Sequence, residues 1–297
     1  MNNKVLLVDA SNLARRNYHG QDLRTTSGIR TGLIYGCLNS ILSVQAQERA
    51  GLVIFVWDGK GSSDWRKSFF PMYKAGRLAI EPDYVEERKR FITLLDAMGV
   101  PQAIKDGAEC DDIIGYLTIK AFADRPVSIV STDKDFYQLI SDRVSIVDPL
   151  HGKVIPDDRG RVPIKSGAKT IYLKPSQVVD YKCLVGDTSD NIPGAPGFGI
   201  GAAIDYFACN EGIDELLNST AKISHLRGKA IEGLIAVRPL APTFRKLCTL
   251  NLELGEVEVP SKSAPDKEMV QGLFNLYEFK QLMLLGEAIY NVGGLNA

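Results

Sequence analysis

Short apolar runs without polar alternation mark the first half of the chain. Four of them are rich in Val and Ile: KVLLVDA, LVIFVWD, PVSIVST and VSIVD. A fifth run, PQAIK, shows the same pattern more weakly. A continuous apolar run of this length is typical of a strand that is buried on both faces of a parallel sheet. Helical patterns separate these runs and predict helices over residues 31–49, 82–98, 111–122 and 135–140. Strands that alternate with helices predict an α/β fold: a mostly parallel central sheet, flanked by helices, with right-handed crossovers.

The pattern changes after Asp148. The stretch DPLHGKVIPDDRGRVPIKSGAK is rich in Pro, Gly and charge, which predicts a loop or linker. After it, helical patterns predominate, over residues 176–184, 199–208, 213–218, 223–237 and 267–279. We therefore expect a domain boundary near residue 170. It would separate an α/β domain at residues 1–170 from a smaller helical region at residues 171–297.

Composition narrows the class of protein. The 297 residues are 45% hydrophobic and 24% charged, as in an ordinary globular protein. Five dispersed cysteines without a C-x-x-C pair, and only three histidines, argue against a disulfide framework or a zinc site and favour a reducing cytosol. The N-terminus has too short an apolar run for a signal peptide, and no run reaches the roughly 18 residues of a membrane span.

Acidic residues follow the ends of the predicted strands. Asp9 closes the first strand, Asp58 closes the second, and Asp133 follows the run IVST. Further acids open the helix after PQAIK and lie in the motif GDTSDN. The complete set is Asp9, Asp58, Glu109, Asp111, Asp112, Asp133, Asp135, Asp187 and Asp190. Ligand sites of an open parallel sheet lie outside the carboxyl ends of its strands, so we expect these acids to converge.

Each acid taken alone has a simpler explanation. An Asp after a strand is often a helix cap or turn residue, and acids in a first helical turn complement the helix dipole. The set as a whole is not explained in this way, because gathering it without a counter-charge would cost on the order of several kcal/mol. Mg²⁺ or Mn²⁺, which prefer carboxylate oxygens, would offset that cost. Two such ions favour phosphoryl chemistry, and the absence of a G-x-x-x-x-G-K-[ST] loop argues against an NTPase.

A basic and aromatic segment lies between the second strand and the next long helix. Its basic residues are Lys60, Arg66, Lys67, Lys74 and Arg77, and its aromatic residues are Trp65, Phe69, Phe70 and Tyr73. Basic charge attracts phosphates and aromatic rings stack on unpaired bases, so the segment suits single-stranded nucleic acid. The alternative is a surface helix whose aromatic side chains pack inward.

Six motifs occur in the order of one known family: VDASNLARR, FVWDGK, YKAGR, GAECDDIIGYL, STDKDFYQL and GDTSDNIPGAPGFG. Together they resemble the 5′-nuclease, or flap endonuclease, family. More narrowly they resemble the 5′–3′ exonuclease domain of bacterial DNA polymerase I and its stand-alone bacteriophage relatives. The resemblance runs from about Lys4 to Leu284. It implies a PIN-like nuclease core, a helical arch at about residues 60–90, and a helix–hairpin–helix-type DNA-binding region with a glycine-rich motif at residues 191–203.

The resemblance also implies roles for individual residues. Around a first metal ion it places Asp9, Asp58, Glu109, Asp111, Asp112 and Asp133. Around a second it places Asp135, Asp187 and Asp190. Catalytic cations at the scissile phosphate would be Lys74, Arg77 and Arg16. The expected DNA contacts, which include residues of the basic segment, are Tyr18, Lys60, Arg66, Lys67, Gly194, Gly197, Gly199 and Gly201. The implied cofactors are two Mg²⁺ or Mn²⁺ ions and one K⁺ ion at the glycine-rich motif.

Two features depart from the family pattern. The family usually carries a lysine two residues after the last motif glycine, where this chain has Gly201. One phosphate contact is therefore expected to be missing. The linker at residues 150–170 also looks longer than usual, and its basic residues Lys153, Arg159, Arg161, Lys165 and Lys169 outnumber Asp157 and Asp158. Both a DNA contact and a solvated loop fit this linker.

The net charge of −1 is compatible with a nucleic-acid partner, because removing the nine clustered acids from 36 leaves 27 acidic against 35 basic residues. We expect a divalent-metal-dependent 5′ nuclease, a 5′–3′ exonuclease or flap endonuclease, acting on DNA with 5′ flaps, nicks or ends. RNA–DNA hybrids are a further expected substrate. The protein is expected to be a monomer in the cytoplasm of a bacterial or phage-infected cell, free-standing without a polymerase, and active in replication or repair.

The principal alternative is a catalytically weak relative that only binds branched DNA. It would lack some of the carboxylates, whereas this sequence has the full set. An RNA-directed nuclease on a related fold would lack the arch and the glycine-rich motif. If the protein were a metal-dependent phosphatase acting on small molecules, the arch and the helical region with the glycine-rich motif would have no role.

Overall fold

A mostly parallel six-stranded sheet forms the centre of the molecule. The computed structural model describes residues 3–284. The strands of this sheet are β1 Val5–Asp9, β2 Leu52–Asp58, β3 Gln102–Lys105, β4 Val127–Val130, β5 Val144–Asp148 and β6 Gly152–Lys153, arranged in the order β3-β2-β1-β4-β5-β6. The first five run parallel and β6 pairs antiparallel with β5. The five predicted strands and the α/β fold are confirmed.

Helices cover both faces of this sheet. Those of the first half are α1 Ala10–Gly20, α2 Gly32–Glu48, α3 Asp64–Phe69, α4 Pro82–Ala97 and α5 Cys110–Tyr116, which continues as a π-helical turn at Leu117–Ala121. Leu6 and Val8 of β1 pack with α1, α2 and α4, whereas Val5 and Leu7 pack with α5. This division follows from the strand, in which successive side chains point to opposite faces. The helix predicted at residues 135–140 is a 3₁₀ helix, Lys134–Leu139.

Helix α1 was not predicted from the sequence. It begins directly after β1, and the Asp9 carboxylate caps it by accepting a hydrogen bond from the Asn12 N–H at 3.0 Å. Its many polar residues make the narrow apolar stripe, which includes the buried Leu13 and Ala14, difficult to recognise in the sequence. The immediate turn from β1 into α1 keeps Asp9 at the carboxyl edge of the sheet.

The segment expected to form a helical arch, residues 60–90, is not one continuous helix. The six-residue α3 is followed by turns as far as Gly76, and residues 77–81 have no regular secondary structure before α4 begins at Pro82. Pro71 cannot continue α3, and proline is well suited to the first turn of α4. Leu78, in the irregular stretch, is 89% exposed.

The predicted linker contains a β-hairpin, so the expectation of a loop over this stretch was partly wrong. Strands β7 Val162–Ser166 and β8 Lys169–Leu173 pair antiparallel with Val162 opposite Leu173. Alternate residues of both strands point inward and are buried. Proline, glycine and charged residues at the other positions hid this two-residue period in the sequence.

A second core lies under the hairpin and helices α6 Val178–Val185, α7 Ile200–Phe207, α8 Asp214–Leu217, α9 Gly228–Val237 and α10 Ala241–Cys248. Helix α10 was not predicted, although the proline at its start is compatible with a first helical turn. Helices α11 Lys267–Leu276 and α12 Lys280–Met283 instead return to the sheet face that α1, α2 and α4 cover, where Val270, Phe274 and Leu282 are buried. The boundary near residue 170 stays a prediction. Across residues 3–284 the helices are all too short or too polar to cross a membrane.

Candidate functional site

Six carboxylates form a continuous row at the carboxyl edge of the sheet. They fall into three overlapping groups, in each of which the possible ligand atoms lie within 4.8 Å of one another: Asp9, Cys110 and Asp111; Asp111, Asp133 and Asp135; and Asp135, Asp187 and Asp190. Strands β1 and β4, helix α5 and the loop after α6 position these residues. The ends of parallel strands meet at one edge of a sheet, which explains how residues so distant in sequence converge.

The Asp9 end of the row is held by hydrogen bonds that the sequence did not predict. The Cys110 thiol donates to Asp9 Oδ1 at 3.3 Å, and the Ser131 hydroxyl donates to Asp9 Oδ2 at 2.8 Å. Ser131 Oγ also accepts a hydrogen bond from the Asp133 N–H at 3.0 Å. Cys110 lies inside the motif GAECDDIIGYL and Ser131 precedes the acids of STDKDF. Their closeness to these acids in the sequence is the one feature that could have indicated a role at the site.

The carboxylates of this row oppose one another's ionisation. Burial is the main cause that raises the pKa of Asp9 to about 7, and the nearby Asp133 and Asp58 contribute to that rise. Burial, together with Asp9 and Asp133, also raises the pKa of Asp111. The pKa of Asp133 is raised by burial and by the nearby Asp190. A divalent cation among these oxygens would favour the ionised forms and remove the repulsion.

Lys182 of α6 is an internal counter-charge at the other end of the row. Its ammonium donates to the Asp135 carboxylate and lies 2.6 Å from Asp187 Oδ2. Burial would lower the pKa of Lys182, but Asp133 and Asp187 outweigh it and raise that pKa. Burial would likewise raise the pKa of Asp187, but Lys182 and the hydrogen bonds from Ser189 lower it to about 2. The signal in the sequence was a lone lysine in the apolar helix YKCLV.

Glu109 and Asp112 lie beside the row and bind Arg66 instead. Arg66 is 3% exposed, and its guanidinium donates to both Asp112 oxygens at 2.7 and 2.8 Å and to Glu109 Oε2 at 3.2 Å. It also donates to the Leu247 carbonyl at 3.1 Å and the Thr249 carbonyl at 3.2 Å. Arg66, expected to contact DNA, instead joins α3 to α5 and to the end of α10, because two buried acids and two carbonyls surround it.

Two of the expected catalytic cations lie next to Asp190. Lys74 Nζ is 2.7 Å from Glu109 Oε1 and 3.9 Å from Asp190 Oδ1, and Arg77 Nη2 is 3.1 Å from Asp190 Oδ1. The buried Tyr73 hydroxyl donates to Glu109 Oε2 at 2.9 Å. Lys74 has a φ of 55°, in the left-handed region, and its N–H donates to the Asp190 carbonyl at 3.0 Å. The motifs YKAGR and GDTSDN therefore position each other.

The remaining residues of the first half lie farther from the row. Asp58, exposed at the end of β2, accepts a hydrogen bond from the Cys110 N–H at 2.9 Å but belongs to none of the three groups. Arg16 is half-buried, with Nη1 3.9 Å from Asp148 Oδ1. Lys60 and Lys67 are exposed, as a DNA contact requires.

Tyr18, which was expected to contact DNA, is buried. It is 7% exposed, its ring meets Tyr84 edge to face at 5.3 Å, and the Arg30 guanidinium covers it at 4.1 Å. The ring faces inward because it completes the apolar stripe of α1. Its role in this structure is therefore packing between α1 and α4.

The aromatic residues of the segment at residues 60–80 also pack inward. Phe69 and Phe70 pack against the second core, where the Phe70 ring lies 5.8 Å from the ring of Phe244. Trp65 packs edge to face on Phe69 at 5.1 Å. The geometry favours the inward-packing alternative for these rings over stacking on bases.

Two glycines close the loop that carries Asp187 and Asp190. Gly186 has a φ of 90° and Gly194 a φ of 65°, and a Cβ added to Gly194 would lie 2.4 Å from the Gly186 nitrogen. Gly194 is buried, so it serves this turn, although it was expected to contact DNA. Gly197 and Gly199 are exposed and Gly201 is half-buried, so all three are open to a ligand.

A groove of about 740 Å³ runs from the acidic row to the hairpin. Its lining includes Asp133 and Asp187 of the row and residues 164–166 of β7. Lys134 and Lys182 also line it, so its walls carry both charges. A groove of this kind gives an extended, charged ligand access to the row.

The sheet, the carboxylate row and the attached helical region with its glycine-rich loop define a PIN-like nuclease fold. The chain belongs to the 5′–3′ exonuclease family. The family described as "5'-3' exonuclease, N-terminal resolvase-like domain" matches residues 4–167, and "5'-3' exonuclease, C-terminal SAM fold" matches residues 173–268. The family resemblance seen in the sequence is thereby confirmed.

Curated relatives of the chain include bacterial DNA polymerases I. The chain is 30% identical over 296 residues to DNA polymerase I of Pseudomonas aeruginosa, covering 96% of this chain and 32% of that protein. It is 31% identical over 282 residues to the thermostable DNA polymerase I of Thermus aquaticus, covering 94% and 32%. The chain thus spans about a third of the length of these relatives.

Solved structures with the same fold include a phage 5′-exonuclease and human GEN1. The structure of the T5 5′-exonuclease with bound divalent zinc ions matches with a TM-score of 0.66 and 22% identity, covering 82% of this chain and 89% of that chain. Human GEN1 in complex with Holliday junction DNA matches with a TM-score of 0.60 and 13% identity, covering 97% and 72%. These similarities support the fold.

Proposed function

We propose that the chain is a divalent-metal-dependent 5′ nuclease that hydrolyses DNA phosphodiesters at 5′ ends and flaps. The observation that carries this proposal is the continuous row of six carboxylates. It provides hard oxygen ligands without histidine, which suits Mg²⁺ or Mn²⁺. Burial and the neighbouring Asp9 raise the pKa of the Cys110 thiol, so Cys110 is a hydrogen-bond donor rather than a thiolate ligand.

The row would hold two ions. The residues that would hold one are Asp9, Asp111 and Asp133, and those that would hold the other are Asp135, Asp187 and Asp190. Bound ions would lower the pKa of a water molecule and stabilise negative charge on the phosphate oxygens. Glu109 and Asp112 support the site through Arg66, and Asp58 lies at its edge.

The chain's own cations would act on the DNA. Lys74 and Arg77 lie beside Asp190, where they would bind the non-bridging oxygens of the scissile phosphate. Glu109 positions the Lys74 ammonium for this contact. Cleavage would leave a 5′-phosphate and a 3′-hydroxyl. A monomer suffices, because one chain supplies the whole row.

RNA–DNA hybrids are proposed as additional substrates, since the backbone phosphates would be the principal points of contact. A potassium ion at the glycine-rich motif is proposed from the resemblance alone. The exposed Gly197 and Gly199 place main-chain groups within reach of a ligand there.

The proposal is tested with 5′-labelled flap, nicked and blunt duplexes, each incubated with Mg²⁺ and with EDTA. We expect metal-dependent cleavage at or near the 5′ end or flap junction. The alternative, a relative that only binds branched DNA, predicts a shifted band in a binding gel but intact DNA in both conditions. Intact DNA with Mg²⁺ and with Mn²⁺ would exclude the nuclease.

Lys74→Ala should slow cleavage much more than it weakens DNA binding. Loss of a cation that stabilises charge in the transition state costs about a hundredfold in rate. The dissociation constant of the duplex should change little, since Lys74 is one of many phosphate contacts. Single-turnover rates and binding isotherms in EDTA measure the two effects, with Lys120→Ala as the control, since Lys120 is exposed and lies on the π-helical turn after α5. An unchanged rate would remove Lys74 from the scissile phosphate.

The metal-free protein should lose stability as pH rises from about 4 to 8. Asp9 has its pKa raised to about 7 in the folded protein, so it favours folding while protonated, and this stabilisation is lost as pH rises through 7. Mg²⁺ should therefore raise the melting temperature more at pH 8 than at pH 5.5, because protons compete with the metal.

Thermal melts in EDTA and in Mg²⁺ across this pH range check both statements. Asp9→Asn is the control, since it should flatten the part of the pH dependence that Asp9 contributes. Wild type and Asp9→Asn with the same pH dependence would refute the assignment.

A further inference from the structure

The hairpin β7–β8 packs firmly on the helical region. Ile164 of β7, and Ile171 and Leu173 of β8, are buried in the second core, which also contains Ala203 and Tyr206 of α7. Strand β8 and helix α7 lie in direct contact. This packing holds the tip of the hairpin beside α7. The alternative of a solvated loop would not fix these residues in place.

Lys169 lies on the inward face of this hairpin. It shares the two-residue period of Ile171 and Leu173, and it pairs with Ser166 across the turn. Lys169 is exposed because the apolar contacts end before the tip. Its side chain therefore extends over the start of α7 instead of pointing away from the protein.

The Lys169 ammonium lies next to Gly201. A Cβ added to Gly201 would be 2.9 Å from Lys169 Nζ and would meet no other atom within 4 Å. Gly201 is the position at which the family pattern has a lysine. The sequence has no lysine at position 201, and Lys169 of strand β8 supplies a positive charge there instead.

Further lysines extend this positive surface in both directions. Lys229 Cγ lies 3.5 Å from the position of a Cβ on Gly197, and Lys134 Nζ donates to the Lys165 carbonyl at 3.0 Å. The second contact ties the hairpin to the 3₁₀ helix that follows Asp133. Lys134, Lys165, Lys169 and Lys229 are all exposed, and within residues 3–284 the structure shows no ion pair for any of them.

We propose that the hairpin β7–β8 is a contact element for the backbone of duplex DNA, and that Lys169 replaces in space the lysine missing at Gly201. The groove between the hairpin and the acidic row would align the duplex with the site of cleavage. This inference rests on the proposed function. Its test separates DNA binding from cleavage, so that either can fail alone.

Lys169→Ala should weaken binding of a nicked duplex by about three- to tenfold in EDTA. The slope of log affinity against log salt concentration should become shallower by about 0.9, as expected for the loss of one phosphate contact. The cleavage rate at saturating DNA should stay unchanged while the KM rises. Lys120→Ala is the matched control, since Lys120 is an exposed lysine on the π-helical turn after α5.

Gly201→Lys supplies the stronger test, because it should restore binding in the Lys169→Ala background. Space exists for the new side chain once the Lys169 ammonium is removed. In the wild-type background Gly201→Lys should increase the affinity for duplex DNA much less, since two cations would compete for one phosphate. Circular dichroism of each variant checks that the fold is kept.

Equal affinities and salt slopes for Lys169→Ala and Lys120→Ala would overturn the inference, while metal-dependent cleavage by the wild type would still support the nuclease. Failure of Gly201→Lys to restore binding would show that Lys169 does not act at this turn. Absence of cleavage by the wild type, with duplex binding still dependent on Lys169, would refute the nuclease and leave the contact element in place.

Discussion

Asp133→Asn should lower metal-dependent cleavage by about a thousandfold or more, which corresponds to roughly 4 kcal/mol in transition-state stabilisation. Asp133 would hold the first ion, and it forms one group with Asp135, which would hold the second, so its loss affects both proposed positions. The same change should raise the melting temperature of the metal-free protein at pH 8, because it removes a half-buried charge that its acidic neighbours repel. Asparagine keeps the cap, since Asp133 Oδ1 accepts a hydrogen bond from the Asp135 N–H at 2.9 Å.

Single-turnover cleavage of a flap substrate at saturating Mg²⁺ and thermal melts in EDTA measure these two effects. Asp266→Asn is a matched control, since Asp266 caps α11 in the same way, is exposed and lies outside the row. That variant should change neither quantity. A cleavage rate for Asp133→Asn within about tenfold of wild type would contradict the metal site. A lower melting temperature for Asp133→Asn than for wild type, in EDTA at pH 8, would contradict the repulsion between Asp133 and its acidic neighbours.

The convergence of the acids could be predicted because it depends on topology alone. Once the apolar runs are assigned to a parallel sheet, the residues that follow them share one edge. Asp9 and Asp133 meet there although 124 residues separate their positions in the sequence. Local patterns therefore located most of the row without any knowledge of side-chain contacts.

The roles of neighbouring acids on α5 could not be separated in the same way. Asp111 and Asp112 are adjacent, but successive residues of a helix point about 100° apart. Asp111 therefore faces the row, whereas Asp112 faces Arg66. The helical period could have shown that the two acids diverge, but not which of them would meet a cation.

Arg66 and Lys182 show what a sequence cannot reveal. Arg66 lies among aromatic residues and looks like a DNA contact, yet its partners are 43 and 46 residues away, at the start of α5 and within it. Lys182 meets Asp135 across 47 residues. Such long-range ion pairs depend on how helices pack, which no local period records. The side-chain partners of these basic residues are therefore harder to predict from the sequence than the convergence of the acids.

Arg66→Met should destabilise the protein by about 3–5 kcal/mol, because removing one partner of a buried ion pair leaves uncompensated charges. The guanidinium makes five hydrogen bonds, equal to its number of N–H donors. Its loss would leave Asp112 and Glu109 without this cation, and the carbonyls of Leu247 and Thr249 without this donor. Arg66→Lys should recover only part of the stability, since an ammonium cannot reproduce the bidentate contact.

Denaturant unfolding in EDTA measures this change, and the neighbouring Lys67→Ala is the matched control. Lys67 is exposed on the same short helix, so its removal should change the free energy of unfolding by no more than about 0.5 kcal/mol. If Arg66 instead contacted DNA through an exposed guanidinium, Arg66→Met would weaken DNA binding and leave stability near that of the control. The two outcomes exclude each other, because a guanidinium that is buried between α3, α5 and α10 cannot also reach a phosphate in solvent.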